Sequence, residues 1–296
     1  DRGYAVLAWT AQGFGRSTGE VHLDSPDWEV KDAQRLIDWL AARPEIATQA
    51  PGDPKVAAVG GSYGGGLALL LAAADQRVDA IVPMITWNDL ARAFLPEATG
   101  GSAVDGVFKR QWAGLFFGTG GSGSIGAGAA AIAGTDQGSG SDGSGAGGSG
   151  AGGSGSGADP QCGRFARDIC AAYLRIAATG RADPEAVALL RGSSPAPVLD
   201  RIHAPTLLIQ GTADSLFPLS EADANARGIA ANGTPVRVAW YVGGHDGGAG
   251  PVSDTDRLRA LTDEWLDHYL RGTGSAPDTS FTYSRVTGLN VSDRGV

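Results

Sequence analysis

The sequence predicts an α/β fold, a mostly parallel sheet flanked by helices, with a helical insertion over one end. Three observations predict it. Short apolar runs alternate with helix-length segments along most of the chain. The runs are continuously apolar, as in strands buried on both faces, and not alternating. The alternation breaks off once, in the middle, and then resumes, which is the mark of an insertion.

Residues 4–9 form a short apolar run and read as the first strand. Ser25 and Pro26 supply a helix N-cap and a first-turn proline. A helix is expected from there to about Ala42, with Trp28, Ala33, Leu36, Ile37 and Leu40 on one face. Residues 55–59 read as a strand. Residues 64–74 read as a helix apolar nearly all round, and therefore buried. Residues 78–83 read as a third strand. From Thr86 to Pro197 the pattern changes to aromatic-rich helical pieces and a helix around residues 165–179. Strand 206–210, helix 220–231, strand 236–242 and helix 254–270 restore the alternation. Leu258, Leu261, Trp265 and Tyr269 should face inward on the last helix, which stops before Gly272. Residues 281–286 read as a final extended piece that leaves the domain. The expected organisation is core over 1–85, insertion over 86–197, core over 198–273 and a tail over 274–296.

The chain has 296 residues, a net charge of −9 and a pI near 4.9. An acidic chain without a basic cluster lacks the surface that displaces counterions from nucleic acid, so nucleic acid is not an expected partner. The same charge disfavours anionic membrane surfaces. The longest apolar stretch, residues 67–74, is far short of the roughly 18 residues of a membrane span. Between positions 118 and 157 there are 18 glycines in 40 residues, mixed mainly with Ser and Ala. Such a segment cannot bury enough apolar surface to offset its ordering entropy and reads as a flexible linker. Cys162 and Cys170 would lie about 12 Å apart on one straight helix, too far to bond. If Cys162 lies just ahead of the helix, a disulfide becomes possible. Two thiols without a histidine at ligand spacing make no metal site, and no cofactor is called for.

In an open parallel sheet, function gathers at the carboxyl ends of the strands. After the 55–59 strand comes Gly60-Gly61-Ser62-Tyr63-Gly64, a G-x-S-x-G pattern between a strand and a helix. A nucleophilic serine there sits on a sharp turn, which requires small neighbours, and its hydroxyl projects above the sheet. The N–H of Tyr63, at the helix start, is the expected oxyanion donor. After the 206–210 strand comes Asp214, and after the 236–242 strand comes His245. The order Ser…Asp…His is that of the α/β-hydrolase fold. A serine hydroxyl needs a base, and the base needs an acid to fix its tautomer. His245 and Asp214 fill those roles, with Asp246 and Asp200 as weaker alternatives to Asp214. Trp87, Phe94 and Trp112 are expected to bind substrate, with Phe116 and Phe117 as further candidates; all of them could equally pack the insertion onto the core.

These residues resemble the peptidase S15 family, which holds X-Pro dipeptidyl-peptidases, cocaine-esterase-like hydrolases and related acylases. The resemblance runs through Arg2-Gly3-Tyr4-Ala5-Val6, Gly13-Phe14-Gly15-Arg16-Ser17-Thr18-Gly19-Glu20, Asp32-Ala33, Asp38-Trp39-Leu40 and Gly60-Gly61-Ser62-Tyr63-Gly64-Gly65. It resumes at Ala204-Pro205-Thr206 through Asp214 and at His245. It implies a serine hydrolase that cuts a peptide or ester bond of a small molecule or peptide, with a helical cap forming the acyl pocket. The expected activity is release of X-Pro dipeptides; the alternatives are an esterase or acylase, or a hydrolase-fold module that binds without turnover. Amine recognition would require a cap carboxylate, for which Asp89, Glu97 and Asp105 are candidates. The resemblance also implies that this chain is a fragment. The strands before residue 2, and the tyrosine they would contribute as second oxyanion donor, have no counterpart here. The tail is too short for a C-terminal β-sandwich, of which residues 281–286 could be the first strand.

Overall fold

The computed structural model describes residues 2–97, 106–118 and 161–285. Most of the expected glycine-rich linker, and Asp105, lie outside the described residues.

Five parallel strands make the main sheet, in the order β3-β4-β5-β6-β7. They are β3 (Val56–Gly61), β4 (Val78–Met84), β5 (Thr206–Gly211), β6 (Val236–Tyr241) and β7 (Thr282–Tyr283). A short antiparallel pair, β1 (Thr48–Ala50) and β2 (Asp53–Pro54), precedes them. Every residue of β5 is buried, which is why its apolar run is unbroken. One face is covered by α1 (Glu29–Ala41), α2 (Tyr63–Ala74), the 3₁₀ turn Ala196–Arg201 and the helix Leu219–Ala230. The other face packs Met84, Leu207, Ile209 and Tyr241 against Leu258 and Trp265 of the helix Val252–Tyr269. That helix turns its expected residues inward, and Gly272 follows it at φ +68°.

Among the described residues between β4 and β5, four helices pack over the carboxyl end of the sheet: α3 (Leu90–Phe94), α4 (Arg110–Gly118), α5 (Arg167–Thr179) and α6 (Pro184–Gly192). Asp89 caps α3 by accepting from the Ala91 and Arg92 amides, and Asp183 caps α6 through the Ala186 amide. Continuing in chain order, α7 is Leu219–Ala230 and α8 is Val252–Tyr269.

Three expectations are corrected. Residues 4–9 are not a strand: none of the described strands pairs with them, and Val6 is 79% exposed. An apolar run becomes a strand only where a neighbour supplies its ladder. The α1 helix starts at Glu29, and Trp28 lies outside its buried face, 51% exposed and stacked on His22 at 4.4 Å. Glu29 takes the Ser25 amide, and the backbone around Ser25 and Pro26 turns before the helix begins. The final extended piece stays with the core. Thr282 and Tyr283 pair in parallel with Ala239 and Trp240, tied down by Arg257 and Ser284. Cys162 does lie ahead of α5, and it is bonded to Cys170 with a Cα–Cα distance of 5.6 Å.

Candidate active site

The turn between β3 and α2 begins with a packing requirement. A Cβ on Gly60 would stand 2.5 Å from the Gly64 carbonyl oxygen, so only glycine lets the helix start so close to the strand. A Cβ on Gly66 would meet the Trp87 ring at 2.3 Å. Ser62 sits between at φ +54°, ψ −117°, a left-handed conformation that L side chains adopt only under constraint. The constraint is visible: the Ser62 amide donates to Met84 O at 2.8 Å, and Thr86 Oγ1 donates to Ser62 O at 2.9 Å. The end of β4 therefore clamps the turn. The strain aims the Ser62 side chain above the sheet.

Ser62 Oγ lies 2.8 Å from His245 Nε2, and His245 Nδ1 lies 2.7 Å from Asp214 Oδ2. The acid comes from the loop after β5 and the histidine from the loop after β6. Both side chains are buried, at 0% and 1% exposure. Asp214 is locked by its own loop: Oδ1 accepts from the Leu216 and Phe217 amides at 3.1 and 2.8 Å. Its Oδ2 also accepts the His245 amide at 3.2 Å, so one carboxylate orients ring and backbone together. The His245 ring is boxed edge-on by Phe217 at 5.4 Å and Trp112 at 5.9 Å. Asp246, the weaker alternative, instead takes the Ser215 amide at 2.6 Å. The Tyr63 amide is the first of α2 and has no carbonyl within its own helix to bond.

A cavity of about 300 Å³ opens beside Ser62. Its walls include Phe14, Leu23, Trp87, Phe94, Phe108, Phe116, Phe165, Ile169, Tyr173 and Phe217. Among the described residues no charged side chain lines it. Trp87 and Phe94 both line it, Trp87 with its indole N–H on Ser193 O at 2.9 Å. Trp112 is not in the cavity wall. It stands edge-on to His245 at 5.9 Å and donates to Ser215 Oγ at 3.1 Å. Lys109, beside it in sequence, donates to Ser215 O and Leu216 O at 2.6 and 2.7 Å and pins the same loop. Burial pushes the Lys109 amine down from its usual range, partly offset by Glu221, Asp214 and Asp246. Of the proposed amine-binding carboxylates, Asp89 is occupied by its cap and by Arg191 Nε at 3.1 Å. Glu97 is absent from the cavity wall.

The residues that sequence reasoning missed come from far-separated segments: Phe14 and Leu23 from the first loop, Phe165 and Tyr173 around α5, Phe217 from the acid loop. Lone aromatics in loops carry no periodic signal, so nothing short of the fold groups them. A second missed cluster lies behind Tyr63. Asp24 is fully buried at φ +59°, next to Leu23 at φ +57°, and neither of its carboxyl oxygens has a bonding partner. Burial, reinforced by the Glu29 charge, pushes the Asp24 carboxyl well up. The Tyr63 phenol faces the same two acids and is pushed up by burial and by their charge. A carboxyl raised in the fold is stabilising below its unfolded value of about 3.9, and that stability is lost as pH rises through the folded value. The Asp24→Asn variant is therefore expected to match the wild type in acid and to exceed it increasingly toward pH 8. Asparagine also tolerates the left-handed backbone. Thermal melts of both proteins between pH 4 and pH 8 check this, and parallel curves would contradict it.

The sequence matches the family described as X-Pro dipeptidyl-peptidase (S15 family) over residues 1–226. No curated protein matches it. Among solved structures, a CocE/NonD family hydrolase from Staphylococcus aureus aligns at TM-score 0.54 and 15% identity, over 92% of this chain and 38% of that one. An esterase from Pyrococcus furiosus aligns at TM-score 0.49 and 15% identity, over 91% of this chain and 71% of the esterase. Pyrococcus horikoshii acylaminoacyl peptidase aligns at TM-score 0.48 and 12% identity, over 87% of this chain and 30% of the peptidase. The chain thus spans well under half the length of the staphylococcal hydrolase and of the acylaminoacyl peptidase. The staphylococcal likeness shows the fold, that of the α/β-hydrolases.

Proposed function

The chain belongs to the X-Pro dipeptidyl-peptidase (S15) family, hydrolases built on the α/β-hydrolase fold, and from that premise we propose that it cleaves acyl bonds through an acyl-enzyme on Ser62. One observation carries the reading: the unbroken chain of contacts from Ser62 Oγ through His245 to Asp214, at 2.8 and 2.7 Å, on a strained turn.

Ser62 Oγ attacks the acyl carbon while His245 Nε2 takes its proton. The carbonyl oxygen gains the charge and turns toward the Tyr63 N–H at the start of α2. His245 returns the proton to the leaving alcohol or amine as the bond to it breaks. Water, deprotonated by the same imidazole, then releases the acid and restores Ser62. Asp214 holds His245 in the tautomer that presents a bare Nε2 to the serine.

The cavity selects the acyl group. Its volume lies at the small end of the roughly 300–1,000 Å³ typical of ligand pockets. An ammonium group placed in it would lose its hydration with no carboxylate among the described lining residues to compensate. The lining therefore favours esters or amides of uncharged apolar acids over N-terminal X-Pro dipeptides.

Fluorophosphonate labelling with peptide mapping tests the reading. An adduct is expected on Ser62, absent in Ser62→Ala and in His245→Ala. p-Nitroanilides of uncharged apolar acids are expected to turn over with kcat/KM at least about tenfold above Gly-Pro p-nitroanilide, the discrimination that one or two kcal/mol of desolvation gives. No adduct on folded protein would overturn the mechanism, and the reverse substrate order would overturn the acyl preference.

A further inference from the structure

The elbow is braced from a side that the triad does not touch. Tyr63 contributes its amide to the oxyanion site, and its side chain runs the other way, into a closed polar cluster. The phenol donates to Glu29 Oε1 at 3.0 Å and accepts the Asp24 amide at 2.9 Å. Glu29 is 1% exposed. Its Oε1 also accepts the His22 amide at 2.6 Å and its Oε2 the Ser25 amide at 3.1 Å. The Tyr63 ring is flanked by Phe14 at 4.9 Å and Trp87 at 6.3 Å, both cavity residues.

Three facts bear on function. A buried carboxylate accepting several hydrogen bonds is a rigid anchor, because each partner fixes one of its lone pairs. The phenol can swing only by breaking two of those bonds, both inside a buried cluster. The oxyanion amide belongs to the residue that carries that phenol, so the ring orientation and the Ser62–Tyr63 peptide plane are set together. The same bonds hold the strained backbone at Leu23 and Asp24, φ +57° and +59°, against the elbow. Leu23 is itself a wall of the cavity. Glu29 thus braces two things at once: the peptide that receives the developing charge, and the loop that shapes the acyl pocket.

We propose that Glu29 is a positioning residue for the oxyanion site, acting through the Tyr63 phenol on the Ser62–Tyr63 amide. The proposal rests on the acyl-enzyme reading above. It makes Tyr63 bifunctional, with the backbone N–H donating to the oxyanion and the side chain aligning it. It also explains why a tyrosine, and not merely a small residue, follows the serine: only a long side chain with a terminal hydroxyl spans from the elbow to the first turn of α1.

The test compares Tyr63→Phe, Glu29→Gln, Glu29→Ala and the double variant Tyr63→Phe/Glu29→Ala. Removing one oxyanion donor outright costs about 10²–10³ in rate, so misaligning it is expected to cost about tenfold in kcat, with KM changed less than twofold. Affinity for an apolar trifluoromethyl ketone, whose adduct carries the oxyanion, should fall by the same factor. Affinity for the acid product should not. Glu29→Gln should retain more activity than Glu29→Ala, because an amide oxygen still accepts the phenol. The double variant should be no slower than either single one, since both break one linkage. Tyr63→Phe keeps the ring packing and is the folded variant if Glu29→Ala does not fold. Lowered melting temperature with unchanged kcat and ketone affinity would overturn the proposal, as would multiplying losses in the double variant. Wild-type labelling at Ser62 separates the two failures. Without an adduct the acyl-enzyme reading falls; with an adduct and normal variant kinetics only the role of Glu29 falls.

Discussion

Asp214→Asn is expected to lower kcat by about 10⁴ at neutral pH while leaving the fold and ester KM nearly unchanged. The reason is tautomeric. In the wild type, Asp214 Oδ2 sits 2.7 Å from His245 Nδ1 and accepts a hydrogen bond from its N–H, leaving Nε2 free to accept from Ser62. The asparagine has one oxygen and one amino group in that space. Asp214 Oδ1 already takes the Leu216 and Phe217 amides, so the carbonyl oxygen of the asparagine belongs there. The amino group then faces Nδ1, forces the proton to Nε2 and removes the base. The variant should therefore bind substrate, label slowly with fluorophosphonate, and regain rate at high pH only to the extent that hydroxide replaces the base. Steady-state kinetics on an apolar ester from pH 6 to pH 10 measure this. A loss of under tenfold would mean that His245 keeps its tautomer without Asp214, or that another group serves as base.

The Cys162→Ala/Cys170→Ala double variant is expected to lose about 2–3 kcal/mol of stability, the chain-entropy value for a short closed loop. At this chain length that lowers the melting temperature by roughly 3–5 °C. The bond matters beyond its loop because of what lies inside it. Val21 bridges in parallel to Phe165, its amide donating to Arg164 O at 2.8 Å and its carbonyl accepting the Ala166 amide at 3.0 Å. Arg164 itself grips the carbonyls of Gly15, Ser17 and Gly19. Phe165 continues into the cavity wall by stacking on Phe117 at 4.3 Å, and Phe117 stacks on Tyr173 at 3.9 Å. Freed of the disulfide, this wall should loosen first. KM for apolar esters is expected to rise several-fold, as loss of part of an apolar wall costs about 1 kcal/mol, with kcat changed less because the triad lies on other loops. Dithiothreitol should reproduce both effects in the wild type and change nothing in the variant. An unchanged melting temperature would show that the bond contributes nothing to the folded state.

The legibility of this protein follows the range of the interactions involved. The strands β3, β4, β5 and β6 and the helices α1, α2, α5, α7 and α8 are visible in the sequence to within a few residues, because each is set by periodicity and by local turn chemistry. The elbow is visible for the same reason. Gly60, Ser62 and Gly64 are close neighbours in the chain, and the turn that needs them is equally local. Asp214 and His245 are visible because strand ends in a parallel sheet converge. Residues 4–9 mislead because an apolar run records only the wish for a partner, and the ladder must come from elsewhere. Where Trp112 sits is not legible, because an aromatic residue on an insertion helix can face the cavity or the histidine equally well, and only the docking of α4 on the Ser215 loop decides.

Ser62, the order Ser…Asp…His, the parallel sheet and the family were therefore determined by the sequence alone, through motifs and periods written within short windows. The tertiary structure alone decided the rest: which aromatics enclose the cavity, that Cys162 stands where it can reach Cys170, and that Glu29 and Asp24 close around the Tyr63 phenol. Those contacts join positions from eight residues apart, for the cysteines, to just over two hundred, for Phe14 and Phe217. Their geometry depends on how helices dock on the sheet, and a docking angle leaves no trace in the spacing of residues along the chain.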